Sequence, residues 1–243
     1  MRKGKLEKAA ALELPDIRKA PPRFLREQDC VYVGSEFCQN LFPSAADVGL
    51  LLDKGARRVA VMTSFMVTEG LRRAEKALSP VLEKFGGVEV VVNDPGLLLY
   101  LEKFHPEVPR SMGRLLSRDF MRADPAGRKE FFRKHRLSAM ETDEADMIRN
   151  LGPAPGFRVH LHYPLKYAAM SRACPFVRRT TLNCGRKCQG RALRLPVPDS
   201  RREIFAVANA YFFEYAPGAP AGVSRLVRHL WGERGDGGRS WGG

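Results

Sequence analysis

The stretch RVAVMTSFMVTEGLRRAEKALSPVLEKFGGVEVVV, residues 58–92, decides the fold. Arg58–Met62 and Val88–Val92 are short valine-rich runs, apolar on both faces of the pleat but for Arg58 and Glu89, and they read as buried strands. Between them Leu71, Ala74, Leu78 and Leu82 recur at spacings of three and four. That period predicts a helix over Val67–Phe85, kinked at Pro80 and ended by Gly86-Gly87. Two buried strands joined by such a helix are parallel neighbours.

The alternation continues in both directions. Val31–Val33 reads as a strand and Asp47–Asp53 as a helix upstream, and Pro95 opens a helix carrying Leu97, Leu98 and Leu101 downstream. Val108–Met112, Leu137–Met140 and Phe157–His162 read as strands, with helices over Arg128–His135 and Glu144–Leu151. Ile204–Val207 and Tyr211–Tyr215 bring the strands to eight. Repeated β-then-α order with eight strands predicts an α/β fold, a TIM-barrel-like (β/α)8 single domain over residues 29–215. Residues 1–28, with eight Lys or Arg and the pair Pro21-Pro22, read as a basic N-terminal arm. Residues 216–243, rich in Gly, Pro and Arg, read as a flexible tail.

A chain of 243 residues, 44% of them apolar, can bury a full core. No run approaches the roughly 18 apolar residues of a spanning helix, because Val88–Leu101 is cut by Asn93, Asp94, Pro95 and Gly96. Ala9–Leu14 is too short for a signal peptide. A cytoplasmic protein without a membrane span is expected, and in that compartment five cysteines point to metal or catalysis rather than disulfides. The net charge of +14 favours anionic partners.

In a barrel, function belongs just after each strand. Those residues are Gly34, Glu36 and Cys38; Thr63 and Ser64; Asn93 and Asp94; Gly113 and Arg114; Glu141; His162 and Tyr163; and Asn209. Asn93-Asp94-Pro95-Gly96 reads as a helix start. His160 and His162 alternate on one strand and so share a face, where most histidines are structural; only a rim position would make His162 a proton carrier.

Between Asp146 and Asp199 there is no acidic residue, yet the span holds ten Lys or Arg and Cys174, Cys184 and Cys188. The spacing Cys174-x9-Cys184-x3-Cys188 has three readings. A zinc site would need Cys38 as a distant fourth ligand, a 4Fe-4S cluster takes four thiolates and tolerates one far away in sequence, and isolated cysteines are often simply buried. Gly185, Arg186 and Lys187 make the last loop too polar for core burial, which ranks a metal first without choosing it.

Val31-Tyr-Val-Gly-Ser-Glu-Phe-Cys38, Val91-Val-Asn-Asp-Pro-Gly96, the segment from Val159 to Cys174, and the Cys184-x3-Cys188 pair occur in this order. Together they resemble the collagenase-like proteins of peptidase family U-32. The similarity is greatest to the iron-sulfur subunit V of oxygen-independent ubiquinone hydroxylation. The resemblance implies a 4Fe-4S cluster on Cys38, Cys174, Cys184 and Cys188, and leaves Cys30 as an incidental thiol. It also implies hydroxylation of a quinone precursor without oxygen, prephenate as oxygen source, and a second U-32 subunit as heterodimer partner. Arg172, Arg178, Arg179, Arg186, Lys187, Arg191 and Arg194 are the candidates for raising the cluster's potential and binding a small anionic substrate. His160, His162 and Lys166 stand where the peptidase signature differs, so protease activity is not expected. Two alternatives are an RNA-modifying or RNA-binding role, favoured by charge but lacking interleaved aromatic residues, and a non-catalytic partner subunit.

Overall fold

The computed structural model describes residues 5–151, 155–171, 173–196, 203–216, 218 and 221–230. In chain order its first elements are β1 (Glu7–Leu12), α1 (Leu14–Lys19), α2 (Pro22–Arg26), β2 (Cys30–Gly34), α3 (Ala45–Asp53), β3 (Val59–Met62) and α4 (Thr68–Lys84). Next come β4 (Glu89–Val92), α5 (Pro95–Phe104), β5 (Arg110–Met112), α6 (Arg114–Phe120), α7 (Pro125–Lys134), β6 (Leu137–Thr142), α8 (Ala145–Asn150) and β7 (Arg158–Tyr163). The chain then leaves this repeat for β8 (Leu165–Met170), β9 (Leu193–Leu195), β10 (Ile204–Val207) and β11 (Ala210–Glu214), and returns as β12 (Arg225–His229). Eight parallel strands close into a barrel in the order β1-β12-β7-β6-β5-β4-β3-β2, and β8-β11-β10-β9 form a separate antiparallel sheet.

The TIM-barrel-like fold is therefore present, but two of its strands are not the expected ones. Ile204–Val207 and Tyr211–Tyr215 pair antiparallel with each other in the inserted sheet, because only a two-residue turn separates β10 from β11 and no crossover fits there. The first and last barrel strands come from the segments read as arm and tail. Residues 7–12 of the supposed arm lie between β12 and β2, and 225–229 of the supposed tail lie between β1 and β7. The arm's α1 and α2 bury Ile17, Phe24 and Leu25 against the core. The remainder of the tail, residues 231–243, lies outside the described residues.

Alternation along the strands separates two environments. Outward residues such as Val31, Val33, Val61 and Val90 pack with the helices, while Ala9, Ala11, Tyr32, Ala60, Met62, Val91 and Val227 fill the lumen. The alanines leave room for large polar side chains facing the same space. Pro80 sits inside α4 without ending it, and Ser44 with Asp47 closes a capping box on α3. No helix among the described residues is long and apolar enough to cross a membrane.

Candidate functional site

Lumen, mouth and lid form three polar layers. In the lumen, Glu141 on β6 accepts from Ser111 at 2.7 Å and lies 2.9 Å from His160 Nδ1 and 2.8 Å from His162 Nε2. Burial alone would raise its carboxyl, but the two histidines hold it well below the usual carboxylate range. Tyr32, pushed well up by burial and by Glu141, contacts the same carboxylate, and Arg225 donates to Tyr32 and Glu89. Both histidines are fully buried, so His162 is not at a rim and does not meet the stated condition for a proton carrier. Its Nδ1 faces His229 Nε2 at 2.8 Å, and burial, then Arg114 and His162, keep His229 neutral well below its ordinary pKa.

At the mouth, Arg114 ties the barrel to the inserted sheet. Its Nε donates to Glu36 Oε2 at 2.7 Å and its Nη1 to Asp143 Oδ2 at 3.3 Å; Asp143 in turn accepts from the Tyr167 amide of β8 at 2.7 Å. Burial would raise the Glu36 carboxyl, and Arg114 overrides it and lowers it; burial wins at Asp143, whose carboxyl is raised. Phe37 fits between them, its ring 4.8 Å from the Arg114 guanidinium, stacked on Tyr167 at 5.1 Å and edge-on to Phe212 at 4.9 Å. The next residue is Cys38, so this aromatic anchor fixes the first cysteine under the lid. Gly34 makes the turn possible: its φ is +105°, and a Cβ there would lie 2.6 Å from the Met62 carbonyl oxygen.

The lid brings the four cysteines together. The loops after β2 and β7 start three strands apart around the barrel, yet Cys38, Cys174, Cys184 and Cys188 all line one cavity of about 260 Å³. Two clasps hold the late loop there. Asn40 donates to the Thr181 carbonyl at 2.8 Å, and Arg73 of α4 donates to the Leu182 carbonyl at 2.9 Å. Burial, then the neighbouring Cys184 and Cys174, push the Cys38 thiol up to about 11 against a lowering hydrogen bond from the Asn40 backbone. Burial and the other three cysteines push Cys188 up to about 12. Among the described residues no three His, Cys, Asp or Glu side chains form a closed metal-holding group, so the thiols share a cavity without converging on one point.

No family model matches the chain, and no curated protein matches it. Among solved structures it is similar to a glycoside hydrolase family 18 N-acetylglucosaminidase from Paenibacillus barengoltzii, at 8% sequence identity, with 92% of this chain and 94% of that chain covered and a TM-score of 0.43. A likeness of that degree carries no argument about chemistry.

The other expected residues divide sharply. Arg179 lines the cavity, whereas Arg178, Arg186, Lys187, Arg191 and Arg194 are exposed around it, and Arg172 lies outside the described residues. Cys30 is buried in the lumen, away from the cavity, its thiol pushed up chiefly by burial. Ser64 and Asn209 line the cavity, while Asp94 caps α5 by accepting from Leu97 N. Tyr32, Glu89, Asp143, Arg225 and His229 were not singled out in the sequence. Arg225 and His229 sit in a basic segment that looked like tail, and only their pairing partners reveal them.

Proposed function

We propose that Cys38, Cys174, Cys184 and Cys188 hold a 4Fe-4S cluster, and that the chain takes part in oxygen-independent hydroxylation of a quinone precursor. The observation that carries the cluster is the meeting of one early and three late cysteines in a single cavity over the barrel mouth. Four thiols lining one cavity, three of them in a span without acidic residues, supply the number and kind of donors that a cluster takes. When bound, such a cluster supplies one-electron chemistry. The protein's own residues position and shield: Phe37 and Asn40 seat the ligand loops, Arg179 adds positive charge, and Asn209 brings an enclosed Oδ1 that has no partner among the described residues. That acceptor suits a phenolic hydroxyl.

The resemblance to family U-32 supports the reaction class, prephenate as oxygen source and a heterodimer with a second family member. The test is anaerobic co-expression with such a member. Co-purification, about four irons and four sulfides per chain, and bleaching by Ser at any of the four cysteines but not by Cys30→Ser are expected. Stoichiometric zinc in place of iron would sink the cluster, and an intact quinone pool in an anaerobic deletion strain would sink the substrate.

A further inference from the structure

Around the thiol cavity the surface has a second, outward-facing character. Arg178, Arg179, Arg186, Lys187, Arg191 and Arg194 are exposed, and no acidic residue lies between Ala173 and Pro196. Among the described residues only Arg194 of this set has a carboxylate within ion-pair reach, Glu203 at 3.8 Å. Arg179 alone lines the cavity, so the charge is mostly offered to solvent. Arg178 and Arg186 sit in the left-handed region at φ 54° and 50°, an unfavourable backbone for residues with side chains, at turns beside the cysteines.

Next to this charge stand Phe65, Val67 and Met170, exposed by 45%, 51% and 39%, and all three line the same cavity. Large apolar side chains are seldom left in such a cluster without a use. A small apolar centre over a thiol pocket, ringed by one sign of charge, suits brief docking of an oppositely charged protein: the field steers the encounter, and the limited contact area permits release.

We infer that this rim docks a small acidic electron-carrier protein, which delivers single electrons to the centre held by the four cysteines. The inference rests on the cluster reading above. In the transfer the reduced carrier loses one electron and the thiolate-bound centre gains it, with no bond made or broken. RNA would meet the same charge, but base stacking wants several exposed rings among the basic residues, and Phe65 is the one exposed aromatic side chain at this rim among the described residues.

The test uses the full-length protein purified anaerobically, with a reduced plant-type 2Fe-2S ferredoxin as probe. Iron per chain is measured first. On rapid mixing, oxidation of the ferredoxin should be bimolecular and slow by about tenfold or more between low and moderately high salt. Arg178→Glu combined with Lys187→Glu should slow it by a similar factor at low salt while the iron stays bound. The same pair should also diminish the chemical-shift changes that the protein causes in the ferredoxin. An iron-loaded protein indifferent to salt and to charge reversal overturns the docking surface and leaves the cluster standing; a protein without iron overturns both. Single-stranded RNA binding that the reversal abolishes, with the ferredoxin reaction unchanged, overturns the docking surface in favour of a nucleic-acid interface.

Discussion

Asn40 donates its side-chain amide to the Thr181 carbonyl at 2.8 Å across 141 residues of sequence, and the same nitrogen stands 3.5 Å from Cys184 Sγ. The loop of the first cysteine is thereby fastened to the loop of the last three. A single hydrogen bond of this kind contributes about 1 kcal/mol, too little to decide whether the barrel folds. Asn40→Ala should therefore leave the thermal midpoint within a few degrees of the parent. Its effect should be local: anaerobically prepared protein should lose colour to a chelator several-fold faster than the parent, read by absorbance. Equal decay rates would show that the clasp does not hold the site.

Arg114 is buried with Glu36 and Asp143. Replacing it by Met would strand a lowered carboxylate at the mouth, at a cost of about 3–5 kcal/mol. Urea unfolding of Arg114→Met should show a loss of that order, and adding Glu36→Gln should recover part of it. Single and double variants of equal stability would mean that the pair is not coupled.

Acid should unfold the protein in two stages. Glu141 and His229 both have folded pKa values below their ordinary ones. Each contributes stability present above its unfolded pKa and lost as pH falls, so loss begins near pH 6.5 for His229 and deepens below about 4.5 for Glu141. Asp143 is raised and works in the opposite sense over the lower range. His229→Phe should flatten the first stage in a thermal midpoint series while the second persists. A profile unchanged by that substitution would exclude His229 as the first titrating group.

In metal-free protein Cys38, held near 11, should be about one part in a thousand thiolate at pH 8. Its alkylation, followed by mass spectrometry, should be slow there and accelerate about tenfold per pH unit. Stability tied to the Cys38 and Cys188 thiols is present below the unfolded thiol pKa near 8.5 and lost as pH rises toward 11–12. Rapid labelling of Cys38 at pH 8 would contradict its enclosure.

Deletion of residues 1–28 should abolish folding, because it removes β1 and exposes the edges of β2 and β12. Circular dichroism of a truncated chain should lack a cooperative transition. A folded truncation would mean that another segment fills the gap.

The sequence by itself determined the barrel's middle and the grouping of the three late cysteines. Val59–Met62 and, after the buried Glu89, Val90–Val92 announce themselves because strands covered on both faces are apolar on both, and the helix between them keeps its period because one face is buried. The clustering of cysteines in an acid-free span is likewise visible in composition. Strands β1 and β12 were hidden for the opposite reason. Glu7–Leu12 is rich in alanine, and Arg225–His229 turns Arg225 and His229 to the lumen, because that space sets small residues opposite large charged ones. Such residues read as surface until their partners are known: Glu7 meets Arg225 from the neighbouring β1, and Tyr32 and Glu89 reach it only because the barrel closes. That Cys38 shares a cavity with Cys184 was also decided by tertiary structure alone: spacing leaves the role of the late cysteines open, and Phe37, Arg114 and the inserted sheet place the first cysteine beside them over one mouth.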